Sequence, residues 1–290
     1  ALGPCAGYID DYRLYNIQLD QTQIARIYTG TVGDKRNVQV LVGPKHMWRF
    51  DEAVSYTPNV IDLGSMGIPL KLNNITIKNK GTDSEYNRSN AAVSAGCAYF
   101  NGSSAFAQAF SPGILRDAAR SITFWMKATS NTAPVSAQTL IDYGNLAASG
   151  QAFTISRNTS IKIAVSIGSG TTSVTSTRLI ANTMWNHIGV IVLPPDNSKS
   201  GGVGTLRNVL IYMNGTNATD TATWTTSTIQ TAKSTSAAAD WITIGRANDS
   251  AANYFAGFMD DIRVYDVALT PQEMRAICFN AGNYSRTFMS

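Results

Sequence analysis

Short runs of alternating apolar and polar residues recur along the middle and the end of the chain. A two-residue period places successive side chains on opposite faces of a strand, so these runs predict strands with one buried face. Asn-Gly pairs at 101–102 and 214–215 are typical of tight turns. Helical periodicity is nearly absent, and the pattern therefore predicts an all-β antiparallel sandwich. The predicted strands lie at 41–50, 98–110, 121–129, 138–144, 152–158, 160–170, 185–193, 208–216, 241–249 and 254–266.

The chain begins with almost the same phrase that closes its last predicted strand. Residues 6–27 and 256–277 align without a gap, and such self-similarity indicates a duplication. Each copy is predicted to be a strand followed by a short helix. Thr270-Pro271-Gln272-Glu273 has the form of a helix capping box, which Asp20-Gln21-Thr22-Gln23 repeats. The identical pairs are Ala6/Ala256, Gly7/Gly257, Asp10/Asp260, Asp11/Asp261, Arg13/Arg263, Tyr15/Tyr265, Leu19/Leu269 and Ile27/Ile277.

Composition narrows the classes of function. Charged residues make up 14% of the chain, and its net charge of +4 is spread over scattered Lys and Arg. The absence of a basic cluster argues against nucleic acid as a partner. No apolar run reaches the roughly 18 residues of a transmembrane helix, so no membrane span is predicted.

Three cysteines, Cys5, Cys97 and Cys278, lack the spacing of a metal site. In an oxidising compartment two could form a disulfide, leaving one over, and Cys5 could pair with another chain. Buried free thiols are the alternative with equal weight.

Residues 46–279 resemble a laminin-G-like domain of the concanavalin A-like lectin/glucanase superfamily. The resemblance implies an antiparallel jelly-roll sandwich with a short C-terminal helix. Its pieces follow the family's order: HMWRFDEA with DLGSMG downstream, GCAYFNGSSAF, SITFWMKAT, MWNHIGVIV, VLIYMNGT, WITIGRA and the closing signature FAGFMDDIRVYDVALTPQEM.

The resemblance also interprets the duplication. Residues 1–36 resemble the closing strand, helix and linker of a preceding laminin-G-like domain, and residues 37–290 form one complete domain. Because the chain begins at Ala1 without a signal-peptide pattern, we expect it to be a processed piece of something longer. The tail could be a remnant of its neighbour, could add a strand to another subunit, or could dock on its own sandwich edge.

Catalysis is not expected, although related folds include glycanases. The acidic Glu-x-Asp-x-x-Glu strand of those enzymes is missing, and Asp260 and Asp261 are adjacent, so on a strand they point to opposite faces. His187 is expected to be a structural residue, and His46 has no obvious partner. No Gly-x-Ser-x-Gly elbow occurs.

Calcium is the metal that the resemblance implies. The acids matching the family's rim site are Asp51 and Asp260, with Glu52 and Asp62 as supplements. Ca²⁺ takes six to eight oxygens, so carbonyls and water would complete the shell. The alternative is that Asp260 accepts backbone N–H bonds or pairs with Arg263.

Two kinds of carbohydrate contact are also expected. Aromatic residues near predicted turns could stack on sugars, namely Trp224, Tyr143, Tyr56 and Tyr254, whereas Trp48, Trp125, Trp185 and Trp241 are predicted to be core residues. Eight Asn-x-Ser/Thr sequons make N-glycosylation a candidate modification. They begin at Asn74, Asn87, Asn101, Asn158, Asn214, Asn217, Asn248 and Asn283.

Together these features predict a non-enzymatic structural or adhesion protein of an extracellular, cell or virion surface. Its expected partners are other copies or neighbouring jelly-roll domains, and glycans. The alternative is a calcium-dependent, lectin-like carbohydrate-binding module.

Overall fold

The computed structural model describes residues 43–51, 59–79, 96–130, 132–146, 148–168, 172–180, 184–195, 202–233, 240–248 and 250–280. Within these ranges the chain forms an antiparallel sandwich of two eight-stranded sheets and one α-helix, which confirms the predicted fold. The duplicated tail, its linker and Cys5 lie outside the described residues, so the tail's role stays a prediction. No described helix has the length and apolarity needed to cross a membrane.

The first sheet has the order β14-β13-β12-β7-β16-β5-β4, and β1 also pairs with β16. Its central strands coincide with the strongest apolar runs of the sequence. The strands are β1 (His46–Trp48), β4 (Thr76–Asn79), β5 (Gly96–Asn101), β7 (Arg120–Ala128), β12 (Asn186–Val192), β13 (Val209–Met213), β14 (Thr216–Asn217) and β16 (Ala256–Tyr265).

The second sheet has the order β11-β10-β9-β8-β15-β6-β3-β2. Its edge strands β2 and β11, and β3 beside β2, were not predicted from the sequence. The strands are β2 (Asn59–Val60), β3 (Leu70–Asn73), β6 (Phe106–Ala109), β8 (Gln138–Gly144), β9 (Ala152–Arg157), β10 (Lys162–Ser166), β11 (Ser173–Leu179) and β15 (Ile242–Ile244).

The core lies between the sheets and takes every second residue of most strands. Phe124 of β7 and Ile244 of β15 are fully buried, as is Trp48 of β1. Burying one such side chain contributes roughly 1.5–3 kcal/mol. The core therefore fixes which residues of each strand face outward.

A β-bulge interrupts β16 at Asp261. The pairing of β16 with β7 shifts between Asp260 and Arg263, and Asp261 has a left-handed φ of 48°. The expectation of strictly opposite faces for Asp260 and Asp261 assumed a regular strand, so it does not apply at this bulge. The Asp261 carboxylate instead accepts two bonds from the Arg263 guanidinium, at 2.9 and 2.7 Å.

The helix α1 (Pro271–Asn280) covers the outer face of the first sheet. Its capping box is formed as predicted: Thr270 N–H donates to Glu273 Oε2 at 2.7 Å, and Glu273 N–H donates to Thr270 Oγ1 at 3.2 Å. Met274 and Ile277 are fully buried and Cys278 is 6% exposed, which confirms the predicted apolar face.

Gly189 of β12 makes room for this helix. A Cβ atom built at Gly189 would overlap the Met274 side chain and would meet Tyr212 Cβ at 3.4 Å. We therefore expect Gly189→Val to lower the free energy of unfolding by about 1–3 kcal/mol, through overpacking. The measurement is urea denaturation.

The matched control for this substitution is Gly43→Val. A Cβ at Gly43 has no neighbour within 4 Å, so the control should stay within about 0.5 kcal/mol of wild type. Equal stabilities of the two variants would contradict the packing role of Gly189.

Candidate functional site

The outward face of the second sheet carries one polar side chain from every strand, in register across the sheet. The inward neighbours of these residues, such as Leu70, Ala107 and Ile242, are core residues, so strand alternation turns the polar set outward. We call this set the polar row. Its members, in spatial order, are Asn59, Lys71, Gln108, Thr243, Asp142, Thr154, Ser166 and Ser173.

A hydrogen-bond network joins the centre of the polar row to the loop that follows β15. Gln108 Nε2 donates to Thr243 Oγ1 at 3.2 Å, and Thr243 Oγ1 donates to Asn248 Oδ1 at 2.6 Å. Asp142 accepts from Asn248 N–H at 2.9 Å and from Thr154 Oγ1 at 2.7 Å. The loop is thereby fixed on the sheet, and Asp142 is fully buried beneath it.

Aromatic rings lie on both sides of the polar row. On one side, Phe110 is 62% exposed and meets Trp241 edge-to-face, with ring centroids 5.2 Å apart. On the other side, the Arg246 guanidinium lies 3.8 Å from the centroid of the Phe106 ring. Trp241 was predicted to be a core residue, but it is only half-buried and belongs to the outward face. Rings beside hydrogen-bonding groups are the ordinary composition of a small-ligand site.

The other predicted sugar-stacking residues lie elsewhere. Tyr143 is 1% exposed, so its expected place at an accessible turn is wrong. Trp224 is half-buried against the core and donates its Nε1–H to Val209 O at 3.2 Å. Tyr254 is half-buried, and Tyr56 lies outside the described residues.

An exposed apolar edge continues the Phe110–Trp241 pair. Val60 pairs with Leu70 and Lys71 pairs with Gln108. Extending these registers, by one residue in the first pair and by two in the second, places Pro69 between Ile61 and Phe110. In the loop after β2, Ile61, Leu63 and Met66 are 62%, 56% and 51% exposed. Single exposed apolar residues are common, but a contiguous group indicates a contact surface.

A buried relay of side chains anchors this apolar edge. Asp62 accepts His46 Nδ1–H at 2.7 Å and also the backbone N–H groups of Met47, Gly64 and Ile68, at 2.8, 2.8 and 2.9 Å. Asp62 directly follows Ile61, so the relay holds the loop of the apolar edge against β1. The partner that the sequence analysis did not find for His46 is therefore Asp62.

The other ring nitrogen of His46 lies 3.1 Å from Ser111 Oγ, so the three side chains have the order of a hydrolytic triad. Their setting differs from a reactive one. Ser111 is 4% exposed, and its oxygen also receives Gly113 N–H at 3.3 Å. The relay therefore acts as a clamp that positions Phe110, the residue before Ser111.

The proposed calcium ligands are differently placed. Asp51 accepts Gly96 N–H at 3.2 Å and pairs with Arg49 at 3.2 Å. Asp260 accepts Asp261 N–H at 2.6 Å and is fully buried. Asp62 accepts its hydrogen bonds from N–H donors, and Glu52 lies outside the described residues. In the described part of the chain, no three His, Cys, Asp or Glu residues are grouped as a metal would require.

The outer face of the first sheet holds ionisable groups beneath α1. Burial lowers the pKa of His187 to about 3, with a smaller raising effect of Asp261 and a lowering one of Arg263, so His187 is neutral at pH 7. Burial raises the pKa of the Cys278 thiol to about 12. Cys278 and Cys97 are both buried, and because Cys5 lies outside the described residues, the pairing of the cysteines stays a prediction. These groups offer no accessible chemistry.

The described sequons fall mostly on turns, where Asn side chains bond to nearby backbone. Asn101 Oδ1 accepts the N–H groups of Ser104 and Ala105 at 2.9 and 3.0 Å, and Asn158 binds Lys162 N–H at 3.0 Å. Asn248 is 7% exposed within the polar network. Asn87 and Asn283 lie outside the described residues, and glycosylation stays a prediction. The exposed sequon residues are Asn74, Asn101, Asn214 and Asn217.

A family model described as the concanavalin A-like lectin/glucanases superfamily, Laminin_G_3, matches residues 100–275. Similar solved structures include domain 4 of the extracellular arabinanase AbnA of Geobacillus stearothermophilus, in complex with arabinotriose. It is 16% identical, with a TM-score of 0.51, over 81% of this chain and 98% of its own. A search of curated proteins gave no match.

In two further similar structures, the match covers only part of the other chain. The binding domain of botulinum neurotoxin serotype G is 13% identical, with a TM-score of 0.53, over 82% of this chain and 51% of its own. The sialidase of Trypanosoma rangeli is 11% identical, with a TM-score of 0.52, over 82% of this chain and 32% of its own. These likenesses concern the fold.

The Asp62 relay makes stability sensitive to acid. Burial by itself would raise the pKa of Asp62, but the bonds from His46, Met47 and Gly64 and the charge of His46 lower it below 3.8. Such a carboxylate contributes stability that is present above its unfolded-state pKa and is lost as pH falls through the folded-state pKa. We expect the wild type to lose unfolding free energy below about pH 4 more steeply than Asp62→Asn, in urea titrations at several pH values.

Asp266→Asn is the control for this titration, because Asp266 is an exposed partner of Lys45 at 3.1 Å and such pairs contribute little. Its pH dependence should match that of the wild type. Parallel curves for the wild type and Asp62→Asn would show that the relay is not the acid-sensitive element.

Calcium binding stays a prediction, now centred on Asp51 and Asp260. If both act as ligands, calcium raises the melting temperature relative to chelator, because a ligand of the folded state stabilises it. Asp51→Asn should abolish the increase and Asp266→Asn should keep it. An unchanged melt of the wild type would remove calcium from consideration.

Proposed function

Since the chain belongs to the concanavalin A-like lectin/glucanase superfamily, we propose that it is a non-enzymatic binding module that recognises carbohydrate. The proposed ligand surface is the outward face of the second sheet. The observation that carries the proposal is the polar row bounded by the exposed Phe110–Trp241 pair. Among the similar structures, the arabinanase domain was solved with arabinotriose and the neurotoxin domain is a binding domain, which is compatible with this proposal.

Carbohydrates fit this surface because they present both apolar ring faces and hydroxyl groups. An aromatic side chain supplies a large apolar area with few rotatable bonds. The row supplies amide and hydroxyl groups whose positions are fixed by the sheet, so little entropy is lost when they bind. The Gln108 amide donates to Thr243, which leaves its carbonyl oxygen directed to other donors such as a sugar hydroxyl.

A non-enzymatic role is proposed because of what surrounds the candidate acids. Asp142 lies under the loop after β15, Asp62 is saturated by N–H donors, and Asp261 is paired with Arg263. Glycoside hydrolysis needs two carboxyl groups that reach the scissile bond. We also propose an extracellular or virion-surface location, which is supported by the exposed sequons and the low content of charge.

Protein-protein contact is the second candidate function, as an adhesion or assembly domain. The exposed residues Ile61, Leu63 and Met66 favour it, because they extend the aromatic pair into a contiguous apolar edge. A partner seated there would also cover Phe110. The two functions therefore share one surface and differ in the ligand.

Phe110→Ala should weaken carbohydrate binding by roughly 2 kcal/mol, about thirtyfold in affinity, because it removes a central aromatic anchor. The measurement is a glycan array, followed by calorimetric titration with the strongest saccharide. Phe279→Ala is the matched control, since Phe279 is 72% exposed on α1, against the opposite sheet. Equal losses in both variants, or an array without binding, would contradict the proposed function.

A further inference from the structure

Around Phe106, two hydrogen-bond donors on the outward face of the second sheet have no acceptor. Asn73 of β3 is the register partner of Phe106, and its amide nitrogen Nδ2 is buried with no hydrogen-bond partner. Arg246, stacked on the same ring, has a buried Nε that is also without a partner. Two unsatisfied N–H groups therefore lie beside Phe106, one on the neighbouring strand β3 and one in the loop that follows β15.

Unsatisfied buried donors are rare in folded proteins, and each one requires an explanation. Neither Asn73 nor Arg246 takes part in the hydrogen bonds that fix the loop after β15. Their unsatisfied N–H groups are therefore not required by the contacts of that loop. A ligand that supplies acceptor oxygens at this position would satisfy both groups once their side chains turn outward.

The charged groups near Phe106 indicate which charge such a ligand would carry. Lys71 lies opposite Gln108, two residues before Asn73, and its side chain is exposed. Within the described residues, neither Lys71 nor Arg246 forms an ion pair. The nearest acid of the polar row, Asp142, is buried and already accepts from Asn248 and Thr154. The surroundings of Phe106 are therefore cationic and rich in donors.

We propose that Asn73, Phe106 and Arg246, with Lys71 beside them, form a subsite for the anionic group of an acidic saccharide. The proposal rests on the proposed function, because it names the class of carbohydrate that the same face binds. A guanidinium presents a planar fork of donors that matches the oxygens of an anion, and stacking on Phe106 fixes the plane of that fork. The Asn73 amide would donate to the same group, and the Lys71 ammonium would add its charge.

The subsite and the Phe110–Trp241 pair are separated along β6. Phe106 and Phe110 lie on the same face four residues apart, which is about 13 Å at the rise of a β-strand. Between them Gln108 offers its carbonyl oxygen. The ligand that reaches both rings is therefore an oligosaccharide, with an acidic unit over Phe106 and another ring against Phe110.

The test compares saccharides that differ in charge alone. Calorimetric titration of the intact chain with oligogalacturonate and with its methyl ester measures the effect of a carboxylate. Heparin oligosaccharides and their desulfated form measure the effect of a sulfate. In one pair we expect the member that carries the anionic group under test to bind at least about tenfold more tightly than the member that lacks it, and the preference to shrink as salt is raised.

Arg246→Gln should abolish the preference for the anionic member. Arg207→Gln is the matched control, because Arg207 is an exposed arginine in the short 3₁₀ turn between β12 and β13. It removes the same charge far from Phe106 in the sheet order and should keep the preference. Lys71→Gln, at an exposed position, provides a second test with little risk to folding.

The outcomes distinguish the acidic subsite from the proposed carbohydrate-binding function on which it rests. A preference confined to the carboxylate pair or to the sulfate pair identifies the anion. Equal binding of the two members of each pair, unchanged by Arg246→Gln and Lys71→Gln, overturns the acidic subsite and leaves carbohydrate binding intact. If no saccharide binds, charged or neutral, the proposed function fails, and the subsite with it.

Discussion

The pairing register of the second sheet determines which side chains its outward face presents. Side chains alternate with a period of two, so a slip of one residue in β6 would turn Gln108 inward and Ala107 outward. The register is held by the core residues between the sheets, since Ala107, Ile242 and Ile244 are fully buried. The polar row is thus positioned by apolar residues that never touch a ligand, and its geometry is as rigid as the sandwich itself.

The outer faces of the two sheets differ in what covers them. On the first sheet, α1 covers the face and leaves Asp261, Arg263 and His187 at most 3% exposed. Although burial opposes its charge, Asp261 raises the pKa of Arg263, so this ion pair is retained in the interior. Removing one partner would leave an uncompensated buried charge, which is strongly destabilising. This layer is therefore structural, and in the described part of the chain the second sheet presents the accessible face.

The sequence predicts the fold well where alternation and turn chemistry are strong. The central strands β7, β12, β13 and β16, the helix cap at Thr270 and the turn at Asn214–Gly215 were all predicted. Both turn residues have positive φ, at 52° and 75°. The strand β11 was missed because its sequence, SVTSTRL, is mostly polar. Its buried Ser176 is satisfied locally, donating its hydroxyl hydrogen to Arg178 O at 2.7 Å, and no hydropathy pattern shows this.

The candidate site was harder to predict because its large apolar side chains face outward and its small ones face the core. In the run Phe106-Ala107-Gln108-Ala109-Phe110, the small alanines fill the core and the large rings face outward. A scale that ranks residues by apolarity assigns the rings to the interior, and it made the same error at Trp241. The signal lies in the neighbouring strand, where Ile242 and Ile244 are both core residues. Their alternation turns Trp241 and Thr243 outward together.

That inversion is itself an argument about function. Burying Ala107 and Ala109 where phenylalanines could alternate inward leaves apolar area in water that the fold could have used for stability. An arrangement that places Phe106, Phe110 and Trp241 outward, and secures the Phe110 segment through His46 and Asp62, keeps a rigid aromatic surface accessible. The relay holds the backbone on both sides of the apolar edge, so the ligand that we propose would meet a surface already in its binding conformation. In the proposed function, a ligand that covers the exposed rings would bury the apolar area that the core forgoes at β6.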